Sequence, residues 1–300
     1  MKGGLKIIAG VIIQNVQDTR WKKTEFIIPT ICCPTAQSIR NWMNEKKYKY
    51  IYGPVPSWRL GSSLGIDPLS NDGKVCTFNC MYCQLGETRF LTDERKIFVP
   101  TVEVIDELDS LPNLKIDYIT FSGTGEPTLA KNLGQMIKAI KKIRNEKIAV
   151  LTNSSLLNKE DVRQDLLPAD FVIAKLDAGF QEAFETINKP LKTIKFSTVL
   201  KGIKDFKSIY AGKLALQIMF IDENRKQAKK IAKIAQEINP AEVQINTPLR
   251  SCKSKPLSEA EVDVIESYFS GLNVISVYKA EKKKIKPISS EDTLRRRGKI

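Results

Sequence analysis

Three thiols stand within eight positions of the stretch KVCTFNCMYCQLGET: Cys76, Cys80 and Cys83. Carried on a loop, three thiolates can converge on one metal or cluster, whereas a helix or strand would turn some of them away. A structural zinc site wants four nitrogen or sulfur ligands. This chain has no histidine, and its other cysteines, Cys32, Cys33 and Cys252, offer no second pair at CxxC spacing. A redox disulfide would leave one of the three thiols unpaired. An iron-sulfur cluster fits the donor set better. Ordinary electron-transfer 4Fe-4S clusters take four cysteines, so three would leave one iron open to a substrate or cofactor, and an open iron makes a catalyst of an electron carrier.

Something must hold such a loop, and the alternation of short β-branched runs with amphipathic stretches from Tyr48 onward predicts an α/β domain with parallel strands and helical crossovers. Strands are expected at Leu60–Asp67, Tyr118–Gly123, Ile148–Asn153, Phe171–Asp177, Leu214–Ile221 and Glu242–Asn246. Helices are expected near Val102–Leu111, Leu133–Arg144, Lys159–Leu167, Gln181–Ile187 with Thr198–Tyr210, Arg225–Ile238 and Ser258–Phe269. In the Arg225–Ile238 helix the alanines and isoleucines share one face, and the lysine run at 226–233 reads as its solvated outer side. Six βα units suit a partial barrel or a doubly wound sheet. The strand ends favour the barrel. Thr120, Ser122, Thr152, Asn153, Lys175, Asp177, Gln217, Gln244 and Asn246 place polar groups where a curved sheet would surround a ligand cavity. The plainer reading of Lys175 and Asp177, two apart and on one face, is a mutual ion pair.

Composition bounds the rest. Three hundred residues with 42% apolar content can bury one large core. The apolar run Gly3–Ile13 is shorter than the roughly 20 residues of a membrane span, and the clustered cysteines do not resemble a secreted disulfide framework, so a cytoplasmic protein without membrane attachment is expected. The net charge of +14 is concentrated at the ends: +5 over residues 1–47, +3 over 48–278 and +6 over 279–300. The basic tail 279–300 reads as a solvated terminus, or else as an arm that binds phosphates. Residues 1–47 show no clear period, and the expectation is an N-terminal extension lying upstream of a native start at Met43.

Cx3Cx2C with Tyr82 before its last cysteine resembles the signature of the radical S-adenosylmethionine (SAM) superfamily, and the resemblance extends over most of residues 48–250. It implies a partial (βα)6 TIM-like barrel and a 4Fe-4S cluster on Cys76, Cys80 and Cys83 whose open iron chelates SAM. Reductive cleavage of SAM then yields a 5′-deoxyadenosyl radical, with electrons from a flavodoxin- or ferredoxin-like partner. FSGTGEPT, residues 121–128, looks like the superfamily's GGEP motif with Thr124 between the glycines. By that resemblance Gly123 and Gly125 let backbone approach the ligand and Glu126 meets the SAM ammonium. Asn153 is a candidate for the SAM carboxylate or ribose, Asp177 for the ribose hydroxyls, and Tyr82 for packing beside the adenine.

A narrower resemblance comes from YIYGPVPSWRLGSSLGID and CQLGET, which look like a radical SAM subfamily related to wyosine-forming tRNA enzymes whose opening reads GPVPSRRLG. Trp58 here replaces the first arginine of that pair, and Arg59 remains. In those relatives a lysine forms a Schiff base, a part for which Lys175 is placed, but the cysteines of their second cluster are missing here. Cys252 is a single thiol near the expected cavity mouth, an incidental free cysteine or a hydrogen-atom donor. The substrate stays open, with tRNA modification, activation of a glycyl-radical partner and plain electron carriage as alternatives.

Overall fold

The computed structural model describes residues 48–281 and 283–297. The expectations for residues 1–47, including a start at Met43, lie outside the described residues.

The chain opens with an antiparallel pair, β1 (Ile51–Ser57) and β2 (Gly61–Ile66). A small parallel pair follows, β3 (Val75–Cys76) and β4 (Phe90–Leu91), with the cysteine loop between its strands. Then come α1 (Thr101–Asp109), β5 (Tyr118–Phe121), α2 (Leu133–Ile143), β6 (Lys147–Thr152), α3 (Glu160–Leu166), β7 (Phe171–Lys175), α4 (Gln181–Asn188), α5 (Phe196–Ile209), β8 (Lys213–Met219), α6 (Asp222–Arg225), α7 (Ala228–Ile238), β9 (Glu242–Asn246), α8 (Glu259–Ser267), β10 (Val274–Ser276) and α9 (Ser290–Arg297). The main sheet runs β1-β2-β5-β6-β7-β8-β9-β10, parallel throughout except for β1.

That order resolves the choice between the two α/β architectures. A doubly wound sheet reverses its strand order at a switch point, whereas here each crossover moves on to the next position in the same sense. Right-handed crossovers that never reverse stack their helices on one face and curl the sheet around the other. The fold is a mixed α/β partial barrel. Its six expected strands are all present, and β1 and β10 extend it at its two edges.

Helix α7 shows why the outer layer forms. Ala228, Ile231, Ala232, Ile234, Ala235 and Ile238 are buried, and Lys226, Lys229, Lys230 and Lys233 are exposed; each isoleucine buried this way is worth about 1.5–3 kcal/mol over leaving it in water. The single helix expected over Arg225–Ile238 is in fact two. Asn224 is buried, and its Nδ2 donates to the carbonyls of Asp177 and Met219, both at 2.8 Å, while Oδ1 accepts from Ile221 N. This pins α6 to the strand ends, and the longer helix begins only at Ala228.

The inner face divides along the strands. At one end Leu60, Ala149, Phe171, Ile173 and Ala215 form an apolar plug, with Tyr118 and Leu151 against it. Two residues further on, Lys175, Gln217 and Gln244 stand side by side across β7, β8 and β9. Because strand side chains alternate, Ile173 with Lys175 and Ala215 with Gln217 point to the same side. The barrel interior therefore passes from apolar to polar toward the C-terminal strand ends.

The tail does not behave as a free arm. Ile288 N donates to Gly53 O at 2.6 Å, and α9 packs on β1. Lys279 pairs with Asp263 and Glu266, Lys283 with Asp117, and Arg296 is buried near Asp67. The reading of a solvated terminus fails over residues 288–297 because Ser289, Asp292 and Arg296 turn inward. Among the described residues no helix is long and apolar enough to cross a membrane.

Candidate active site

The cysteine loop is stitched to the barrel on two sides. On one, Val75 N donates to Thr124 O and Glu126 N to Val75 O, both at 3.1 Å, so the GTGEP loop pairs with the strand that carries Cys76. On the other, Asn79 N donates to Asn188 O and Met81 N to Ile187 O at 3.0 Å, and Leu191 N donates to Thr77 O at 2.9 Å. The ring of Phe78 meets Phe184 edge-on with centroids 5.2 Å apart. Within the loop Cys83 N donates to Cys80 O and Gly86 N to Cys83 O, and Thr88 closes it by bonding Asn79 Oδ1 and Phe78 O.

Two amides address the sulfurs. Asn153 Nδ2 lies 3.5 Å from Cys76 Sγ, and Asn188 Nδ2 lies 3.5 Å from Cys80 Sγ. Lys74 is buried beside the loop, its Nζ donating to Gly86 O at 3.2 Å. Burial works against its charge, yet the neighbouring Cys83 and Cys76 outweigh this and raise its pKa. Burial pushes the Cys76 thiol up to about 12, partly countered by Lys74, and raises Cys80 as well. Protons leave such sites when a cation takes their place. Among the described residues no three cysteine, aspartate or glutamate side chains converge as ligands of a single metal ion. Two loop thiols and a third at the end of β3, two N–H donors aimed at sulfur and one buried lysine fit an iron-sulfur cluster, whose potential responds to hydrogen bonds at its sulfurs.

The second motif lies alongside. Gly123 has φ +136°, and a β-carbon there would meet the Asp67 carboxyl at 2.4 Å; at Gly125 it would fall 1.6 Å from Val75 O. The close approach required of both glycines is to the protein's own groups. Glu126 is buried, and its Oε1 accepts from Thr128 N, Thr128 Oγ1 and Thr152 Oγ1, while Oε2 accepts from Asn153 N at 2.6 Å. Burial still raises its pKa despite these four donors. With about two lone-pair directions per carboxylate oxygen, Oε2 retains room for one more donor.

Asn153 stands at the end of β6, where its Nδ2 also donates to Thr77 Oγ1 at 2.7 Å and its Oδ1 accepts from Ser155 N. Asp177 follows β7 and is buried. Its Oδ2 accepts from Tyr82 OH and from Asn188 Nδ2, its Oδ1 from Met219 N at 2.8 Å. Lys175 Nζ stands 3.7 Å from Asp177 Oδ1 and 4.8 Å from the centroid of the Tyr82 ring. The plainer reading of the Lys175 and Asp177 pair is thus the one observed. Phe78, Asn153, Lys175, Asp177, Phe184 and Asn188 enclose a cavity of about 10 Å³, room for one water molecule. Cys252 is half-buried, with Sγ 3.2 Å from Ser254 O.

The structure thus brings Cys76, Cys80, Tyr82, Glu126, Asn153 and Asp177 into one connected set, with Gly123 and Gly125 supporting it. Sequence reasoning missed Asn188, which touches Cys80, Tyr82 and Asp177 together. Its only local signal is its place as the last residue of α4, before Lys189 at φ +43°. Thr77 and Ser155 were missed for the same reason, being short hydroxyl residues whose partners are distant in sequence, whereas Thr152, expected among the polar strand ends, donates to Glu126.

A curled parallel sheet with a three-cysteine loop over its interior defines a class, and the chain belongs to the radical SAM superfamily, whose profile matches residues 70–235. It is a radical SAM enzyme. The UPF0026 protein of Synechocystis sp. is 42% identical over 208 residues, covering 69% of this chain and 77% of that one. Two solved structures share the fold. A radical SAM methyltransferase from Sphaerobacter thermophilus aligns with TM-score 0.56 and 13% identity, over 71% of this chain and 65% of its own. Streptococcus suis SuiB bound to S-adenosylmethionine aligns with TM-score 0.54 and 15% identity, over 68% of this chain and 48% of its own. The chain spans less than two thirds of either enzyme.

Proposed function

We propose that Cys76, Cys80 and Cys83 ligate a 4Fe-4S cluster with one open iron and that SAM binds there. When bound, the reduced cluster and SAM supply a 5′-deoxyadenosyl radical that takes a hydrogen atom from a substrate. The observation that carries this reading is the pair of amide donors, Asn153 Nδ2 and Asn188 Nδ2, set against the sulfurs of Cys76 and Cys80.

The surrounding residues have separate parts. Glu126 offers the free direction of Oε2 to the SAM ammonium. Asn153 holds the cysteine loop and faces the SAM carboxylate or ribose, Asp177 the ribose hydroxyls, and Tyr82 the adenine. Gly123 and Gly125 act by letting the GTGEP loop lie against Asp67 and Val75. Lys175 is held by Asp177 and Tyr82, so a Schiff-base role would first have to break that pair. A tRNA substrate draws little from the tail, because Lys279, Lys283 and Arg296 are engaged within the protein. The enzyme is taken to work in the cytoplasm with a flavodoxin- or ferredoxin-like reductant.

Anaerobic reconstitution with iron and sulfide, followed by reduction in the presence of SAM, should yield 5′-deoxyadenosine. Replacing any one of the three cysteines with alanine should abolish it. Continued SAM cleavage by the triple alanine variant would refute the proposal, and a reduced wild-type cluster that leaves SAM intact would favour an electron carrier.

A further inference from the structure

Three arginines lie near one another, and among the described residues no acid pairs with them. Arg59 lies in the turn between β1 and β2, Arg250 four residues past β9, and Arg297 ends α9. Among the described residues none of the three forms an ion pair with a carboxylate. Arg59 Nε is buried without a hydrogen-bond partner, and its guanidinium sits 5.1 Å from the centroid of the Trp58 ring. Arg250 Nη1 donates to Arg297 O at 2.9 Å and to Gln84 Oε1 at 3.2 Å.

Burial, followed by the neighbouring charges of Arg297 and Arg250, brings Arg59 down to about 10; burial and Arg297 do the same to Arg250. All three side chains are half-buried, and arginines drawn out of water are ordinarily paired. Arg296 in this same helix shows the usual solution, with Asp67 and Asp292 beside it. Three guanidiniums with no counter-charge among the described residues favour an anion that completes the set, and their planar N–H forks match an oxyanion in two-point geometry.

We propose that Arg59, Arg250 and Arg297 anchor an oxyanion of the substrate, carboxylate or phosphate. Gln84 directly follows Cys83, so the Arg250–Gln84 bond places this anchor beside the cysteine loop. The three residues come from opposite ends of the chain, and only the packing of α9 on β1 and of the loop after β9 over Gln84 assembles them. Trp58 supports the site by offering its ring to the Arg59 guanidinium. The inference rests on the radical SAM reading for the meaning of "substrate", but not for the existence of the anion site.

Equilibrium dialysis of the full chain against radiolabelled inorganic phosphate, and separately against labelled acetate, tests it. One of the two should bind saturably, and the tighter one identifies whether the anchored group is a phosphate or a carboxylate. Arg59→Gln and Arg250→Gln should each weaken binding about tenfold or more, as losing a charge-assisted hydrogen bond requires. Lys233→Gln, on the outer face of α7, should bind as wild type does. If Arg59→Gln does not fold, Arg59→Lys and Arg297→Gln carry the same test, the lysine keeping the charge and losing the fork. Saturable binding of neither probe, or unchanged binding in folded arginine variants, overturns the inference. SAM cleavage by the wild-type holoenzyme is measured alongside. Cleavage without anion binding refutes the anchor and leaves the radical SAM reading intact; anion binding without cleavage does the reverse.

Discussion

A β-carbon added at Gly125 would lie 1.6 Å from the carbonyl oxygen of Val75, the residue just before Cys76. The position of a β-carbon is fixed by its own backbone and its neighbour here is backbone, so no side-chain rotation can relieve the contact. Gly125→Ala should push β3 away from the GTGEP loop and displace Cys76. We expect a loss of about 1–3 kcal/mol from overpacking and a sharp fall in iron and sulfide bound after reconstitution. Wild-type iron content in this variant would show that the contact does not set the position of the cysteine.

Asn188 links the loop to the end of β7. Its amide reaches Cys80 Sγ, Tyr82 OH at 3.1 Å and Asp177 Oδ2 at 2.9 Å. Asn188→Ala leaves buried acceptors with one donor fewer, at a cost of about 1–3 kcal/mol. If the amide also tunes a bound cluster, the reduction potential of the reconstituted variant should shift, a change that redox titration would detect and that a purely structural role would not produce.

Arg296 and Asp67 are each 1% exposed, with Nε and Oδ2 3.6 Å apart. Asp67 also accepts from Thr124 N at 3.1 Å and Thr124 Oγ1 at 2.9 Å, so the chain's last helix is tied to the GTGEP loop. Arg296→Ala strands a buried carboxylate and should cost about 3–5 kcal/mol, read as a lower urea midpoint with unchanged slope. A loss of a few tenths would mean that Asp67 is held by its other donors alone.

The same carboxyl makes a pH prediction. Burial raises the Asp67 pKa above the usual carboxylate value, with the bonds from Ser70 and Thr124 and the charge of Arg296 pulling the other way. The folded state then holds the proton more tightly than the unfolded state. Its contribution is fully present below the unfolded value of about 4 and is lost as pH rises through the folded value. Asp67→Asn removes this dependence, so the stability difference should move in favour of the variant as pH rises through that window. Urea unfolding of both proteins at a series of pH values measures it; a difference that stays flat would contradict the assignment.

The chemistry-bearing residues were legible because they are local. The Cx3Cx2C spacing, the absence of histidine and the GTGEP loop are patterns within a few residues, and the strand and helix periods repeat within each element. Even the polar strand ends at Lys175, Gln217 and Gln244 could be placed, since a period of two assigns them to one face. The split at Asn224 and the inward turn of Arg296 could not, because each depends on at least one partner 47 or more residues away.

By itself, then, the sequence of this protein determined its cluster of three thiols, its order of βα units and the motifs that mark a radical SAM enzyme. Tertiary structure decided the rest: the single sense of winding that makes a partial barrel, the use of Gly125 to seat Cys76, the binding of Asn188 to Cys80, and the meeting of Arg59, Arg250 and Arg297. The physical reason is distance along the chain. A hydrogen bond or a repulsion between side chains exists only when packing brings them within a few ångströms, and for Arg250 and Gln84, 166 residues apart, no local pattern records that they will meet.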